Sequence, residues 1–173
     1  WQVDMETARA AQSFVFQRPV MLRRSVAENL AYPLSIRGTR RDVVAERVAH
    51  WADQVGLAEM LDRPAPALSG GEQQKLALAR ALITEPEVVF LDEPCASLDG
   101  RATREIEAIL QAVSGRGTRL ILTTHDMGQA RRLADRVIFL HAGRVSEAAP
   151  AARFFGSPVT DEARAFLNGD IVE

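Results

Sequence analysis

The sequence predicts an α/β protein: a mainly parallel sheet flanked by helices, with a small α-helical lobe inserted between strands. Three observations carry this. Short apolar runs at Ser13-Phe14-Val15-Phe16, Val88-Val89-Phe90-Leu91 and Leu120-Ile121-Leu122-Thr123-Thr124 have the length and the polar boundaries of buried strands. The stretches between them place apolar residues at helical spacing, so strand and helix alternate along the chain. The composition, 47% hydrophobic and 25% charged over 173 residues, fits a folded domain with a real core. It excludes a disordered tail, a collagen-like repeat and a coiled coil. A net charge of −2, from 21 basic and 23 acidic residues, provides no strong field for nucleic acid or an anionic membrane.

Each element has its own signal. The first strand, ending at Phe16, runs into the loop Gln17-Arg18-Pro19. Ser25 with Glu28 matches a capping box, so a short helix starts there and runs toward Tyr32, before Pro33 and Gly38 interrupt it. Val43, Val44, Val48, Trp51, Ala52 and Val55 recur at helical spacing from Thr39 to Val55, with Gly56 as the stop. Pro64 and Pro66 make a second break. Ser69-Gly70-Gly71-Glu72 is another capping box, opening a helix that reaches Ile83. The run Val88–Leu91 is continuous, as expected of a strand covered on both faces.

Residues Arg101 to Val113 form an amphipathic helix presenting Ile106, Ile109, Leu110 and Val113. After the Leu120–Thr124 strand comes a helix from Gly128 to Ala134. Val137–Leu140 and Arg144-Val145 then flank an Ala142-Gly143 hairpin turn. Two short helices, Ala151–Phe155 and Asp161–Leu167, follow. The expected division is a core from 1–19 and 68–173, with the helical lobe at 20–67. No apolar run approaches the ~18 residues that span a bilayer. A single cysteine, Cys95, fits a reducing compartment. With Trp1 rather than Met at the start, the chain reads as a piece of a longer cytoplasmic protein.

Five clusters carry chemistry. At Leu68-Ser69-Gly70-Gly71-Glu72, two glycines permit close approach of a ligand to the backbone. The helix that begins there turns free N–H groups and partial positive charge outward, which suits a phosphate. The Val88–Leu91 strand delivers Asp92 and Glu93 to its carboxyl end; adjacent carboxylates there are costly without a cation or hydrogen-bond partners. Asp92 suits water-mediated Mg²⁺ binding, and Glu93 is placed to polarise an attacking water. His125 follows the next strand, where an imidazole can sense a phosphate. Gln17 follows the first strand and can bond a metal-bound water. Asp99 in Ser97-Leu98-Asp99-Gly100 reads equally as a helix N-cap. Taken singly, each cluster has a plain structural explanation. Together they deliver Gln17, Asp92-Glu93 and His125 to one edge of a parallel sheet, where ligands of open α/β sheets bind.

In the order Gln, Ser-Gly-Gly, Asp-Glu, Asp, His, the whole chain resembles the ATP-binding-cassette (ABC) ATPases, which have a P-loop NTPase-like fold. The resemblance implies ATP and Mg²⁺ as cofactors. It makes Gln17 the Q-loop glutamine, at the metal site and coupled to a membrane partner. Ser69, Gly70, Gly71 and Glu72 become the signature motif, which grips ATP bound by the opposite subunit. Asp92 and Glu93 become the Walker B pair, with Glu93 the catalytic base. Asp99 falls in the D-loop, and His125 is the switch histidine. Cys95, where Thr is usual, and Lys75, where Arg is common, are mild departures. A larger one is that G-x-x-x-x-G-K-[ST] does not occur, since the sole lysine, Lys75, lies inside the signature helix. The expectation is an N-terminal truncation that leaves the fragment alone inactive.

The implied partners are a transmembrane permease subunit and a second ATPase subunit in a head-to-tail homodimer, with an extracytoplasmic solute-binding protein acting indirectly. The implied place is the cytoplasmic face of the cell membrane. The stretches Val15–Leu22 and Asn29–Leu34, and the tail with Phe154-Phe155 and Phe166-Leu167-Asn168-Gly169, look like prokaryotic importers. They are closest to oxyanion importers of the tungstate type, with phosphate and polar amino-acid importers as alternatives. A DNA-repair ATPase shares the motifs but needs a coiled-coil insertion or a basic surface, and the insert here is short and balanced in charge. A non-enzymatic regulatory or dimerisation module keeping the fold is the alternative of another class. Zinc chemistry lacks ligand spacing among His50, His125, His141 and Cys95.

Overall fold

The computed structural model describes residues 4–96 and 98–170. The chain divides into two compact units, the first ending at Thr123 and the second beginning at Thr124.

In the first unit, helix α1 (Met5–Ala10) precedes strand β1 (Gln12–Val15). Helices α2 (Val26–Ser35), α3 (Arg41–Gln54) and α4 (Gly70–Leu82) follow, with two 3₁₀ turns between α3 and α4. Strand β2 (Val88–Asp92), helix α5 (Gly100–Gly115) and strand β3 (Arg119–Thr123) complete the unit. The sheet is parallel throughout, in the order β1-β2-β3. Its register pairs Val15 with Leu91, and Asp92 with Thr123, so the three carboxyl ends fall along one edge.

Local chemistry accounts for the helix starts. Ser25 and Glu28 at α2, and Ser69 and Glu72 at α4, form complete capping boxes, each satisfying two otherwise orphaned N–H groups. Asp99 caps α5 by accepting from the Arg101 and Ala102 N–H groups at 2.9 and 2.8 Å. Pro33 does not end α2, contrary to the expectation from sequence. The helix runs on to Ser35 because Leu34 is buried against the lobe and Ile36 N–H still reaches Tyr32 O at 3.1 Å. Tertiary packing here outweighs the one hydrogen bond a proline deletes. Helix α1 was not foreseen. It is short and buries no residue, so it offers no periodic apolar face to read.

Val15, Val89 and Leu91 are buried on one side of the sheet, where α4 contacts β1 and α5 contacts β3. Phe14, Phe90 and Ile121 share one rank across the other side, and Phe14 and Ile121 are about half exposed. The expectation that Val88–Leu91 is covered on both faces is therefore corrected: burial alternates along β2, and the described residues of this unit bury one face of it. In the helical lobe, Leu30, Leu34, Trp51, Ala52 and Leu57 form the core. Lys75 Nζ meets Glu105 at 2.9 Å, which ties α4 to α5.

The second unit holds α6 (Met127–Leu133), the antiparallel pair β4 (Arg136–His141) and β5 (Arg144–Pro150), α7 (Ala151–Gly156) and α8 (Asp161–Asn168). Ala142 and Gly143 both adopt positive φ, +48° and +72°. That is the backbone a two-residue type I′ hairpin requires. Phe154, Ala149 and Ala163 form its core, with Val137 and Phe139 packed on them.

Glu147 is buried on β5 and accepts from the backbone N–H groups of Val159 and Thr160, at 2.9 and 3.1 Å, and from the Thr160 hydroxyl. Burial alone pushes its carboxyl up, but these donors outweigh it and hold the group below the usual carboxylate range. A depressed folded pKa contributes stability above the unfolded value, about 4.3, and that contribution is lost as pH falls through the folded pKa. Thermal unfolding of the complete protein should therefore show a lower Tm for Glu147→Gln at pH 7, with the difference closing toward pH 3. A constant difference across that range would contradict the carboxylate's role.

Candidate functional site

The site is built by chain ends leaving the sheet edge. Two residues past β1, the Gln17 amide donates from Nε2 to Glu93 Oε2 at 2.9 Å, across 76 residues of sequence. At the end of β2, Asp92 Oδ1 accepts from the Thr123 hydroxyl at 2.6 Å. The Glu93 N–H meets both Thr123 O, at 3.1 Å, and Thr123 Oγ1, at 3.3 Å. Three strands thus contribute to one hydrogen-bonded cluster: Gln17 from β1, Asp92 and Glu93 from β2, Thr123 from β3. Thr123 was not singled out from sequence. Its only signal was a hydroxyl near the end of an apolar strand.

Glu93 itself has φ +42°, a left-handed backbone that a residue with a long side chain rarely adopts. Such a conformation costs on the order of 1–3 kcal/mol and persists only where surrounding bonds impose it. Here the two contacts to Thr123 and the one from Gln17 do so. The effect is to turn the chain sharply as it leaves β2. Asp92 and Glu93 are both half-buried at this turn.

Ser69, Gly70 and Gly71 open α4, with Ser69 and Gly70 exposed. The Ser69 hydroxyl and its N–H both point to Glu72 Oε2, each at 2.7 Å. The Ser69 hydroxyl, and then its N–H, hold the Glu72 carboxyl below the usual range. Glu72 is thereby turned back on the helix start. The two glycines differ. A Cβ on Gly71 would sit in ordinary contact with Ala102 Cβ of α5, at 3.4 Å. A Cβ on Gly70 would meet nothing within 4 Å, and its φ is ordinary. Nothing inside the unit calls for glycine at 70.

Asp99 caps α5, as its alternative reading anticipated. His125 lies two residues beyond the end of β3, exposed, at the start of the second unit. Asp126 next to it caps α6 through Gln129 N–H at 3.0 Å. The residues that the structure brings together are therefore Gln17, Asp92 and Glu93, with Thr123 added. A hydrated Mg²⁺ ion needs one or two protein carboxylates and keeps several waters. A single half-buried Asp oriented by a hydroxyl fits that ion.

Residues 2–96 match the family described as ABC transporter. The phosphate import ATP-binding protein PstB 2 of Natronomonas pharaonis is 41% identical over 95% of this chain and 61% of its own length. The tungstate uptake system ATP-binding protein TupC of Peptoclostridium acidaminophilum is 44% identical over 84% of this chain and 68% of its own. The histidine transport ATP-binding protein HisP of Pseudomonas aeruginosa is 36% identical over 97% and 67%. Among solved structures, CbiO1 of Clostridium perfringens, part of the ABC transporter complex CbiONQ, superposes with a TM-score of 0.79 at 28% identity. That match covers 88% of this chain and 62% of the other. The chain therefore spans about three fifths of the length of PstB 2 and of CbiO1, and the curated relatives carry names of ATP-binding proteins for phosphate import, tungstate uptake and histidine transport. The chain belongs to the ABC transporter ATPase family.

Proposed function

We propose that the complete protein hydrolyses ATP on the cytoplasmic face of a membrane and couples that hydrolysis to solute import through a separate permease. The observation that carries the reading is the Gln17–Glu93 hydrogen bond beside Asp92, at the shared carboxyl edge of a parallel sheet. Glu93 is the general base, taking the proton of the attacking water at its carboxylate. Gln17 and the turn at φ +42° hold that carboxylate in place. Asp92, oriented by Thr123, holds a hydrated Mg²⁺ ion. When bound, that ion neutralises charge on the phosphates, the main demand of phosphoryl transfer. Ser69, Gly70 and Gly71 face outward to receive the nucleotide of a second copy, in a head-to-tail homodimer. A phosphate arriving there takes over the Ser69 hydroxyl donor that Glu72 accepts in the free chain. Asp99, which caps α5, is the D-loop residue, and His125 contacts the terminal phosphate as the switch.

Among the described residues no helix is long and apolar enough to cross a membrane. An extracytoplasmic solute-binding protein would act through that permease. The cargo we favour is an oxyanion of the tungstate or phosphate kind, supported by the identities of TupC and PstB 2; a polar amino acid is the alternative, supported by HisP. The test is ATP turnover by the complete protein assembled with its permease. Turnover should require Mg²⁺ and stop on chelation with EDTA. An assembled complex that does not hydrolyse ATP, or whose turnover survives chelation, overturns the reading.

A further inference from the structure

The segment 17–24 contains no helix or strand, yet half of it is fixed by two side chains with no part in the chemistry above. Asn29, fully buried on α2, accepts Leu22 N–H at Oδ1 (3.0 Å). Its Nδ2 donates to Leu22 O, Arg24 O and Ser25 O at 3.2, 3.4 and 2.9 Å. Arg80, in the last turn of α4, donates from Nη1 to the same Asn29 Oδ1 at 3.1 Å, and from Nη2 to Val20 O at 2.7 Å. Both of these bonds end on neutral oxygens, although burial works against the guanidinium's charge. A partly buried cation on two neutral oxygens is held more weakly than one on a carboxylate, so what these two bonds join points to a purpose beyond packing.

Geometry suggests one. Helix α4 is a rod of about 20 Å; Arg80 stands near its end and Ser69-Gly70-Gly71 at its beginning. Val20 to Arg24 are bolted to α2 and to that rod. Between the last residue of β1 and the first bolted residue lie only Phe16, Gln17, Arg18 and Pro19. We propose that Arg80 is a positioning residue, clamping Asn29 and Val20 so that the loop arm 20–24, α2 and α4 move as one body. A displacement at Gln17 is then passed to the Ser69–Gly71 end of α4 and not absorbed within the loop. This rests on the function proposed above.

The test uses the complete protein, with and without its permease, and the variants Arg80→Met and Arg80→Lys. Amide exchange reads the clamp without any appeal to function. In Arg80→Met, Leu22 N–H should exchange about tenfold faster or more, with the α4 amides unchanged. Stimulation of ATP turnover by the permease should fall at least about fivefold, the lower end of ordinary coupling, while basal turnover of the free subunit stays within about twofold. Arg80→Lys, which keeps the charge and one donor nitrogen in place of the guanidinium fork, should recover part of both effects, and it carries the test if Arg80→Met does not fold. Unchanged exchange at Leu22 overturns the clamp. Faster exchange with full stimulation overturns the transmission, and a parallel loss of basal and stimulated rates reduces Arg80 to packing. A wild-type protein without ATP turnover defeats the function proposed above, not the clamp, which the exchange data decide alone.

Discussion

Glu93→Gln in the complete protein is expected to lower ATP turnover by a factor on the order of 10²–10⁴, the range a positioned general base contributes. The substitution is nearly isosteric and keeps an oxygen at Oε1 able to accept from the Gln17 amide, so the contact that orients residue 93 survives. The backbone turn survives too, because its bonds run from the Glu93 N–H to Thr123 O and Oγ1. What is lost is the carboxylate that takes a proton. Nucleotide affinity should therefore hold within a few-fold, and ATP should stay trapped between two copies. Equal losses in binding and in turnover would place Glu93 among the binding groups; unchanged turnover would remove it from the chemistry.

Gly70→Ala is expected to act in opposite directions on stability and on activity. A methyl at 70 meets no neighbour within 4 Å, and the backbone there is one that alanine adopts readily. Replacing glycine at a compatible site restricts the unfolded chain, so the free subunit should gain about 0.5 kcal/mol or more. If the exposed start of α4 receives a nucleotide from a second copy, the same methyl stands where phosphate must approach the N–H groups, and turnover should drop by more than about tenfold. Thermal unfolding of the free subunit and steady-state turnover measure the two effects. A stabilised protein with unaltered turnover would contradict the outward-facing role of Ser69-Gly70-Gly71. Gly71→Ala makes a useful contrast, since its Cβ would come to ordinary contact distance of Ala102, 3.4 Å, within the α4–α5 approach, where the methyl at 70 meets nothing.

What was legible in the sequence was mostly local. Capping boxes at Ser25/Glu28 and Ser69/Glu72 need only four residues of spacing, and both formed. The Ala142-Gly143 hairpin is similarly local, although alanine at a positive φ is an unusual choice. The alternation of strand and helix fixed the parallel sheet, and with it the edge where Asp92 and Glu93 emerge. What escaped depended on partners distant in sequence. Pro33 sits inside a helix because buried Leu34 holds the next turn. Thr123 joined the site only through the register that sets it beside Asp92. Arg80 and Asn29 meet across 51 residues, and neither type of residue marks such a contact in a sequence. The positive φ at Glu93 is likewise a product of its tertiary bonds, invisible in the run Leu91-Asp92-Glu93-Pro94.

The central claim is that the edge formed by Gln17, Asp92, Glu93 and Thr123 is where a magnesium nucleotide reacts. A crystal structure of the complete Glu93→Gln protein with Mg²⁺ and ATP tests it most directly. The account predicts a magnesium-bound water hydrogen-bonded to Asp92, the terminal phosphate beside residue 93 and Gln17, and Ser69-Gly70-Gly71 of a second copy closing over it. Nucleotide bound away from the carboxyl ends of β1 and β2, or bound there with no second copy across it, would contradict the account.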